Sequence, residues 1–294
     1  MVSQAPGGFE LISIVIPAYN EEGAIGRDLD VIHEAMGKSG HPYEIIVVDD
    51  GSSDRTAEIA SEKGAKVISH EVNRGSGAAR KTGLQHAEGE IVIMTDADGT
   101  YPNQDMPTLL EFFPEYDQVV GARRTEQGRF RPLRWMAKWV IRQLASYLTR
   151  VQIPDLNSGF RAFKRDIMMR YLHLIPDGFS CVSSMTMVFL GNGHPVKFFP
   201  IDYYKRVGRS KFHPITDTYS YLLTVVRLVM YHDPLRIFMP LGILLMVLGI
   251  AKSFYDFLAT STLQESDIVL ILAAVIVVAL GLLADLIVFS MRRR

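Results

Sequence analysis

The chain has 294 residues, 48% of them hydrophobic and 21% charged, enough for one large catalytic domain with an appendage or for two modest domains. A formal net charge of −1 excludes a global field that would draw the chain to nucleic acid, and a single cysteine, Cys181, excludes an internal disulfide and suits a reduced compartment. The charge is uneven, however: Arg and Lys crowd residues 123–150 and the last three positions, beside apolar runs, a distribution that points to a membrane surface.

The opening stretch, MVSQAPGGFE, lacks the basic and apolar regions of a signal peptide, so the N-terminal part of the chain is expected to stay in the cytoplasm. From residue 11 to residue 122, short apolar runs alternate with segments of helical length. The runs are Leu11–Pro17, Tyr43–Asp50, Ala65–Ser69, Glu90–Asp96 and Gln118–Arg123. Each is β-branched and apolar on both faces, as central parallel strands are. Between them, Glu21–Met36, Asp54–Lys63, Gly77–Ala87 and Asp105–Phe113 read as helices. The alternation predicts an α/β fold, a mostly parallel sheet with flanking helices, whose ligands bind beyond the carboxyl ends of the strands.

Residues 131–150, RPLRWMAKWVIRQLASYLTR, set Trp135 and Trp139 among basic residues, the composition of a helix lying in a membrane interface. An ordinary surface helix packed on the sheet is the alternative. A second amphipathic candidate, Ile215–Tyr231, falls in the juxtamembrane segment 213–233. Two strongly apolar segments follow, about 235–258 and 268–291, each long enough at about 1.5 Å per residue to cross a hydrocarbon core of roughly 30 Å. The link between them carries no Lys or Arg, whereas the outer flanks carry Arg236 and Arg292–Arg294. This predicts a transmembrane hairpin in unit 234–294 with both outer ends and the catalytic domain cytoplasmic. Lys252 is expected to snorkel or to pair with Asp256 at i,i+4.

The strand ends carry the chemistry. Pro17-Ala18-Tyr19-Asn20-Glu21-Glu22 follows the first run, Asp49-Asp50-Gly51-Ser52-Ser53-Asp54 the second, and Asp96-Ala97-Asp98-Gly99 the fourth. Any one of these suits a solvated loop with a helix cap. Three acidic ends on adjacent strands repel one another unless a cation sits between them, and a hard divalent ion takes one or two carboxylates plus substrate phosphates. His33, His41 and His86 have no ligand-like partners nearby and read as surface residues. Gly75-Ser76-Gly77 does not follow the first strand, which excludes a dinucleotide-binding loop.

The segments VIPAYNEE (15–22), VVDDGSSDRT (47–56), NRGSGAARKTGLQHAEGE (73–90), MTDADGTYP (94–102), GARR (121–124), DLNSGFRAF (155–163) and RVGRSK (206–211) stand in the order found in the family-2 glycosyltransferases. As a set they resemble that family's dolichol-phosphate mannose synthase-like, polyprenyl-phosphate glycosyltransferase group over about residues 10–212. The resemblance implies a GT-A (Rossmann-like) catalytic domain over 1–212. It implies donor binding by Pro17, Tyr19, Glu21, Asp50, Asp96, Ala97, Asp98, Arg206 and Lys211. Tyr19 would lie against the base, Glu21 would accept from the ribose, Asp50 would meet the base edge, and Arg206 and Lys211 would face the diphosphate. Asp96 and Asp98 would also bind Mg²⁺ or Mn²⁺. Relatives often have a Gln two positions after this motif; Thr100 stands here. Arg123 would meet the acceptor phosphate, with Arg131 or Arg134 assisting. Asp155 would orient Arg123 or the acceptor, or hold the turn that follows it.

The implied reaction is inverting transfer of a hexose from a GDP-mannose or UDP-glucose type donor to a polyprenyl or dolichyl phosphate, with Asp98, Arg123 and Asp155 at its centre. The sugar, the base, the lipid and the number of copies in an assembly stay open. A non-catalytic membrane scaffold would have lost the Asp96/Asp98 or Arg206/Lys211 pair, and both are present. A processive polysaccharide synthase would carry a Gln at the start of the RPLRW segment and more spans.

Overall fold

The computed structural model describes residues 9–124, 151–206 and 233–292 apart from residues 179 and 263, together with single positions at 143, 146, 223, 226, 230 and 231. The expected interfacial helix at 131–150, nearly all of the segment 213–233, and the candidate residues Arg131, Arg134 and Lys211 fall outside the described residues. The chain divides into two compact units, Met1–Val225 and Val226–Arg294.

The first unit is built on a sheet of order β3-β2-β1-β4-β6-β5-β7. The strands are β1 (Ile12–Ala18), β2 (Tyr43–Asp49), β3 (Lys66–Ser69), β4 (Ile91–Met94), β5 (Gln118–Arg123), β6 (Arg161–Lys164) and β7 (Val196–Ile201). The helices that flank them are α1 (Ile25–Ser39), α2 (Thr56–Glu62), α3 (Ser76–His86), α4 (Met106–Leu110), α5 (Arg165–Arg170) and α6 (Cys181–Gly191). The β1, β2 and β4 runs are mainly apolar on both faces because both faces are covered. Ile12, Ile14 and Ile16 share one core with Ile25, Leu29, Ile32 and Met36 of α1. On the other face, Gly83 of α3 comes so close that an added Cβ would lie 2.4 Å from Val15 Cγ1.

Three features differ from the sequence expectation. β6 enters antiparallel between β4 and β5, so β4 and β5 are not neighbours. β7 adds a parallel edge beside β5. And α1 begins at Ile25 rather than Glu21, because Asn20 takes a left-handed backbone (φ 51°) and residues 21–24 make a turn closed by Ala24 N–H to the Glu21 carbonyl, 3.0 Å. α1 stops at Gly40, whose φ of 73° suits glycine at a helix C-terminus.

The second unit is a hairpin of two long helices, α7 (Leu235–Thr260) and α8 (Glu265–Arg292). Only 11% of the apolar span of α7 and 17% of that of α8 is buried, which is the reverse of a soluble core helix. The two helices pack closely: an added Cβ on Gly242 would sit 2.4 Å from Val278 Cγ2. Near the turn, Lys252 Nζ holds Asp256 at 2.6 Å, as its spacing predicts, and also Asp267 at 2.7 Å and Ser266 at 2.8 Å. Two carboxylates of the hairpin thus share one ammonium between its helices.

Candidate functional site

The acidic ends of β2, β1 and β4 lie side by side, since these strands are neighbours in the sheet. β7 lies on the far side of β5, yet the residues after it double back across this edge. Tyr204 N–H donates to the Thr100 carbonyl beyond β4 at 2.9 Å, and Arg206 reaches Glu21 beyond β1. Residues 202–206 therefore form a strap over the carboxyl ends of the strands.

Arg206 closes the strap on two acids. Its Nη2 donates to Glu21 Oε1 at 2.7 Å, and its Nε lies 3.3 Å from Asp98 Oδ2, an ion pair without an aligned hydrogen bond. The other oxygen of Asp98 is fixed by Thr100, through its N–H at 3.1 Å and its hydroxyl at 2.5 Å. Thr100 thus orients Asp98. Burial raises the Asp98 carboxyl pKa and Asp96 adds to the rise, while Thr100 and Arg206 oppose it. A guanidinium already sits where Glu21 and Asp98 face each other, so this corner is built to hold positive charge. Among the described residues, no three His, Cys, Asp or Glu side chains gather into a metal cage. One or two carboxylates with room for phosphate oxygens is instead how Mg²⁺ is usually held.

Asp96 has a different partner. Its Oδ1 accepts from Nη2 of Arg80, a buried residue of α3 that the sequence reading passed over. Its other side lies against Gly159, where an added Cβ would stand 2.9 Å from Oδ2. Ala97, between the two acids, is buried.

Asp50 is turned inward. Its oxygens accept the N–H groups of Arg74 (2.9 Å) and Gly75 (2.8 Å), and Oδ1 also meets His70 Nδ1 at 2.7 Å. Both oxygens are thus engaged in fixing the 70–75 loop, and a base edge would have to share them. The glycines of that loop serve packing. The N–H groups of Gly77 and Ala78, at the start of α3, both donate to the Asp177 carbonyl, and Lys81 bonds the Asp177 carboxylate at 2.6 Å. The start of this helix is occupied by protein, in keeping with the exclusion of a dinucleotide loop. Pro17 and Tyr19 are half-buried at the end of β1 and just beyond it.

Arg123 and Asp155 form a second centre. Arg123 Nε and Nη2 donate to Asp155 Oδ2 and Oδ1 at 2.6 and 2.9 Å, and Asn157 N–H adds a bond to Oδ1 at 3.0 Å. Burial alone would raise the Asp155 pKa, but the Arg123 bonds and charge outweigh it and hold the carboxyl below its ordinary value. The Arg123 guanidinium also lies 5.1 Å from the ring centre of Tyr203, on the strap. Tyr203 meets Tyr101 edge-on, and Tyr101 stacks on Phe160 and accepts the Gly159 N–H at 2.7 Å. The strap and this aromatic group join the two centres.

Asp28, also not singled out by the sequence reading, accepts the Gly99 N–H at 2.9 Å from beneath the turn. Burial, opposed by that bond and aided by Asp98, pushes its pKa up to about 6. A cavity of about 230 Å³ opens beside it, lined by Arg27, Asp28, Gly99 and Lys205 among others.

Residues 233–288 match the GtrB C-terminal hairpin. Dolichyl-phosphate hexose transferase of Haloferax volcanii is 32% identical over 209 residues, which cover 70% of this chain and 88% of that protein. Glycosyltransferase AglJ of the same organism is 28% identical over 95% of this chain and 94% of its own length. Undecaprenyl-phosphate 4-deoxy-4-formamido-L-arabinose transferase of Pectobacterium carotovorum is 35% identical over 55% of this chain, which spans about half (51%) of that relative. Among solved structures, glucosyl-3-phosphoglycerate synthase of Mycobacterium tuberculosis, in complex with Mn²⁺, UDP and glucosyl-3-phosphoglycerate, superposes with a TM-score of 0.60. It covers 75% of this chain and 80% of that one at 22% identity, a likeness of fold. The model of glycosyl transferase family 2 matches residues 13–172, more than half of the chain, and with the Haloferax relative this shows that the chain belongs to glycosyl transferase family 2.

Proposed function

We propose that this enzyme transfers a hexose, with inversion, from a nucleoside diphosphate sugar to a polyprenyl phosphate at the cytoplasmic face of a membrane. What supports the reading above all is the strap residue Arg206, paired with both Glu21 and Asp98. A cation balancing two acids at the carboxyl edge of the sheet suits a diphosphate leaving group. The names of the Haloferax and Pectobacterium relatives, and the hairpin, favour a lipid phosphate acceptor.

Pro17, Tyr19, Glu21 and the Asp50-held loop would receive the nucleoside. Arg206 and Lys211 would face the diphosphate. Mg²⁺ or Mn²⁺ would sit at Asp98 beside Asp96, where it would neutralise charge on the departing diphosphate. Arg123, its guanidinium plane set by Asp155, would hold the acceptor phosphate, with Arg131 or Arg134 assisting. A phosphate monoester has its second pKa at about 6 and is ionised at neutral pH. Its oxygen can attack the anomeric carbon without a strong base, forming one C–O bond as the bond to the diphosphate breaks. Asp155, held below its ordinary pKa by Arg123, suits a positioning role better than proton abstraction.

The test is to supply membranes bearing the chain with polyprenyl phosphate and a panel of radiolabelled nucleotide sugars, GDP-mannose and UDP-glucose among them. Label is expected in the organic extract with one donor. Label in an insoluble polymer would point to a processive synthase, and no incorporation from any donor would point to a scaffold.

A further inference from the structure

The two acids of the Asp96-Ala97-Asp98 turn are neutralised by guanidiniums of opposite character. Asp98 faces Arg206, whose side chain is 31% exposed and comes from the strap at a loose 3.3 Å. Asp96 faces Arg80, whose side chain is 7% exposed and comes from the interior of α3. Arg80 makes its second bond to the Ser76 carbonyl of its own helix at 3.2 Å, and its Nε is buried with no partner. No other carboxylate bonds Arg80 among the described residues. A buried guanidinium that leaves one N–H unsatisfied, in order to reach one carboxylate, is tied to that carboxylate. Gly159 completes the clamp, since a side chain there would collide with Asp96.

We propose that Arg80 is a positioning residue that takes Asp96 out of the cation's ligand set. The divalent ion is then held by Asp98 and the donor's diphosphate, and it enters and leaves with the nucleotide. Without Arg80, two adjacent carboxylates would face the cleft with a charge of −2 and would hold a divalent ion on their own. This deepens the transferase reading and rests on it for the diphosphate. It also gives Arg80, in the 73–90 segment, a role that helix packing alone does not.

The experiment titrates Mn²⁺ alone into the purified full chain in lipid nanodiscs and follows the free ion by electron paramagnetic resonance. Arg80→Met should bind Mn²⁺ at least about tenfold more tightly than the parent, the effect of removing a nearby positive charge. Arg80→Lys keeps the charge and should stay within about threefold of the parent. In the double variant Arg80→Met/Asp96→Asn the gain should vanish, because it acts through Asp96. Arg80→Met binding Mn²⁺ no more tightly, or less tightly, overturns the proposal. If Arg80→Met shows no cooperative melt, two near-isosteric variants decide. Asp96→Asn should leave Mn²⁺ affinity in the presence of a nucleoside diphosphate within about threefold, whereas Asp98→Asn should lower it by more than about tenfold. Equal losses overturn the proposal. The titrations use no sugar and no lipid, so a chain that behaves as stated but labels no lipid extract upholds the role of Arg80 and removes only the acceptor assignment.

Discussion

Arg123 and Asp155 meet as a two-point ion pair, Nε to Oδ2 at 2.6 Å and Nη2 to Oδ1 at 2.9 Å, and the Arg123 backbone N–H adds a third bond to Oδ2 at 3.2 Å. One carboxylate therefore fixes both the plane of the guanidinium and the end of β5. If this is positioning, Asp155→Asn should slow transfer by about 100-fold, the usual loss when a reacting group is displaced by about an ångström. The pH–rate profile between about pH 6 and 8 should keep its shape, since a carboxyl already held below its ordinary pKa does not titrate there. A neutral-pH inflection present in the parent and missing in the variant would instead make Asp155 a general base.

The same pair bears on stability in acid. With its folded pKa depressed, Asp155 binds fewer protons in the folded state than in the unfolded one at acid pH. Its contribution is fully present above the ordinary Asp value of about 3.9 and is lost as pH falls through the folded value. Melting curves of the catalytic unit from pH 7 down to pH 3 should therefore fall less steeply for Asp155→Asn, starting from a lower melting temperature at pH 7. Parallel curves would mean that the pair contributes no pH-dependent stability.

Gly77 tests the assignment of the 75–77 glycines to packing. An added Cβ there would lie 2.4 Å from the Pro176 carbonyl oxygen, a backbone atom. Gly77→Ala should cost about 1–3 kcal/mol through overpacking, and more if the bonds to the Asp177 carbonyl are lost. Chemical denaturation of the parent and the variant would measure it. A neutral substitution would mean that the 176–177 loop moves aside freely.

What the sequence made legible follows from where each signal is stored. β1, β2 and β4 are apolar on both faces, so composition alone reveals them, and their acidic ends become neighbours as soon as the sheet order is right. β6 was hidden because its first residue, Arg161, reads as surface. It is in fact fully buried, with its guanidinium spent on the carbonyls of Ser158 and Val182 and the hydroxyl of Thr186. β7 was hidden by Lys197 and Pro200, which an edge strand tolerates. Arg80 was missed for the same reason as Arg161: hydropathy cannot tell a buried arginine with a partner from a solvated one. The strap could not be foreseen, since the meeting of Arg206 with Glu21 joins residues 185 apart.

The hairpin carries a topology prediction. By the positive-inside rule the α7–α8 turn is expected outside and the catalytic unit inside. In a Cys181→Ser background, Thr262→Cys should react with an impermeant thiol reagent on intact cells, and Ser52→Cys should react only after lysis. The reverse pattern would refute the orientation.

Variants of Arg206 and Arg123 test the proposed separation of donor from acceptor. Arg206 pairs with Glu21 and Asp98 beyond β1 and β4, whereas Arg123 pairs with Asp155 at the end of β5. If Arg206 is released from these acids to meet the diphosphate, Arg206→Ala should weaken donor binding. A charge-assisted hydrogen bond contributes about 1.5–3 kcal/mol, which at about 1.4 kcal/mol per decade is a roughly 10- to 150-fold loss of affinity. The loss should be smaller at low metal concentration, since removing Arg206 also frees Asp98 for the cation. If Arg123 holds the acceptor phosphate, Arg123→Ala should leave donor affinity within about threefold of the parent while nearly abolishing transfer. Calorimetric titration of donor with Mg²⁺, in the absence of lipid, measures both variants. Should Arg123→Ala lose donor affinity as severely as Arg206→Ala, the two phosphates have been given to the wrong arginines.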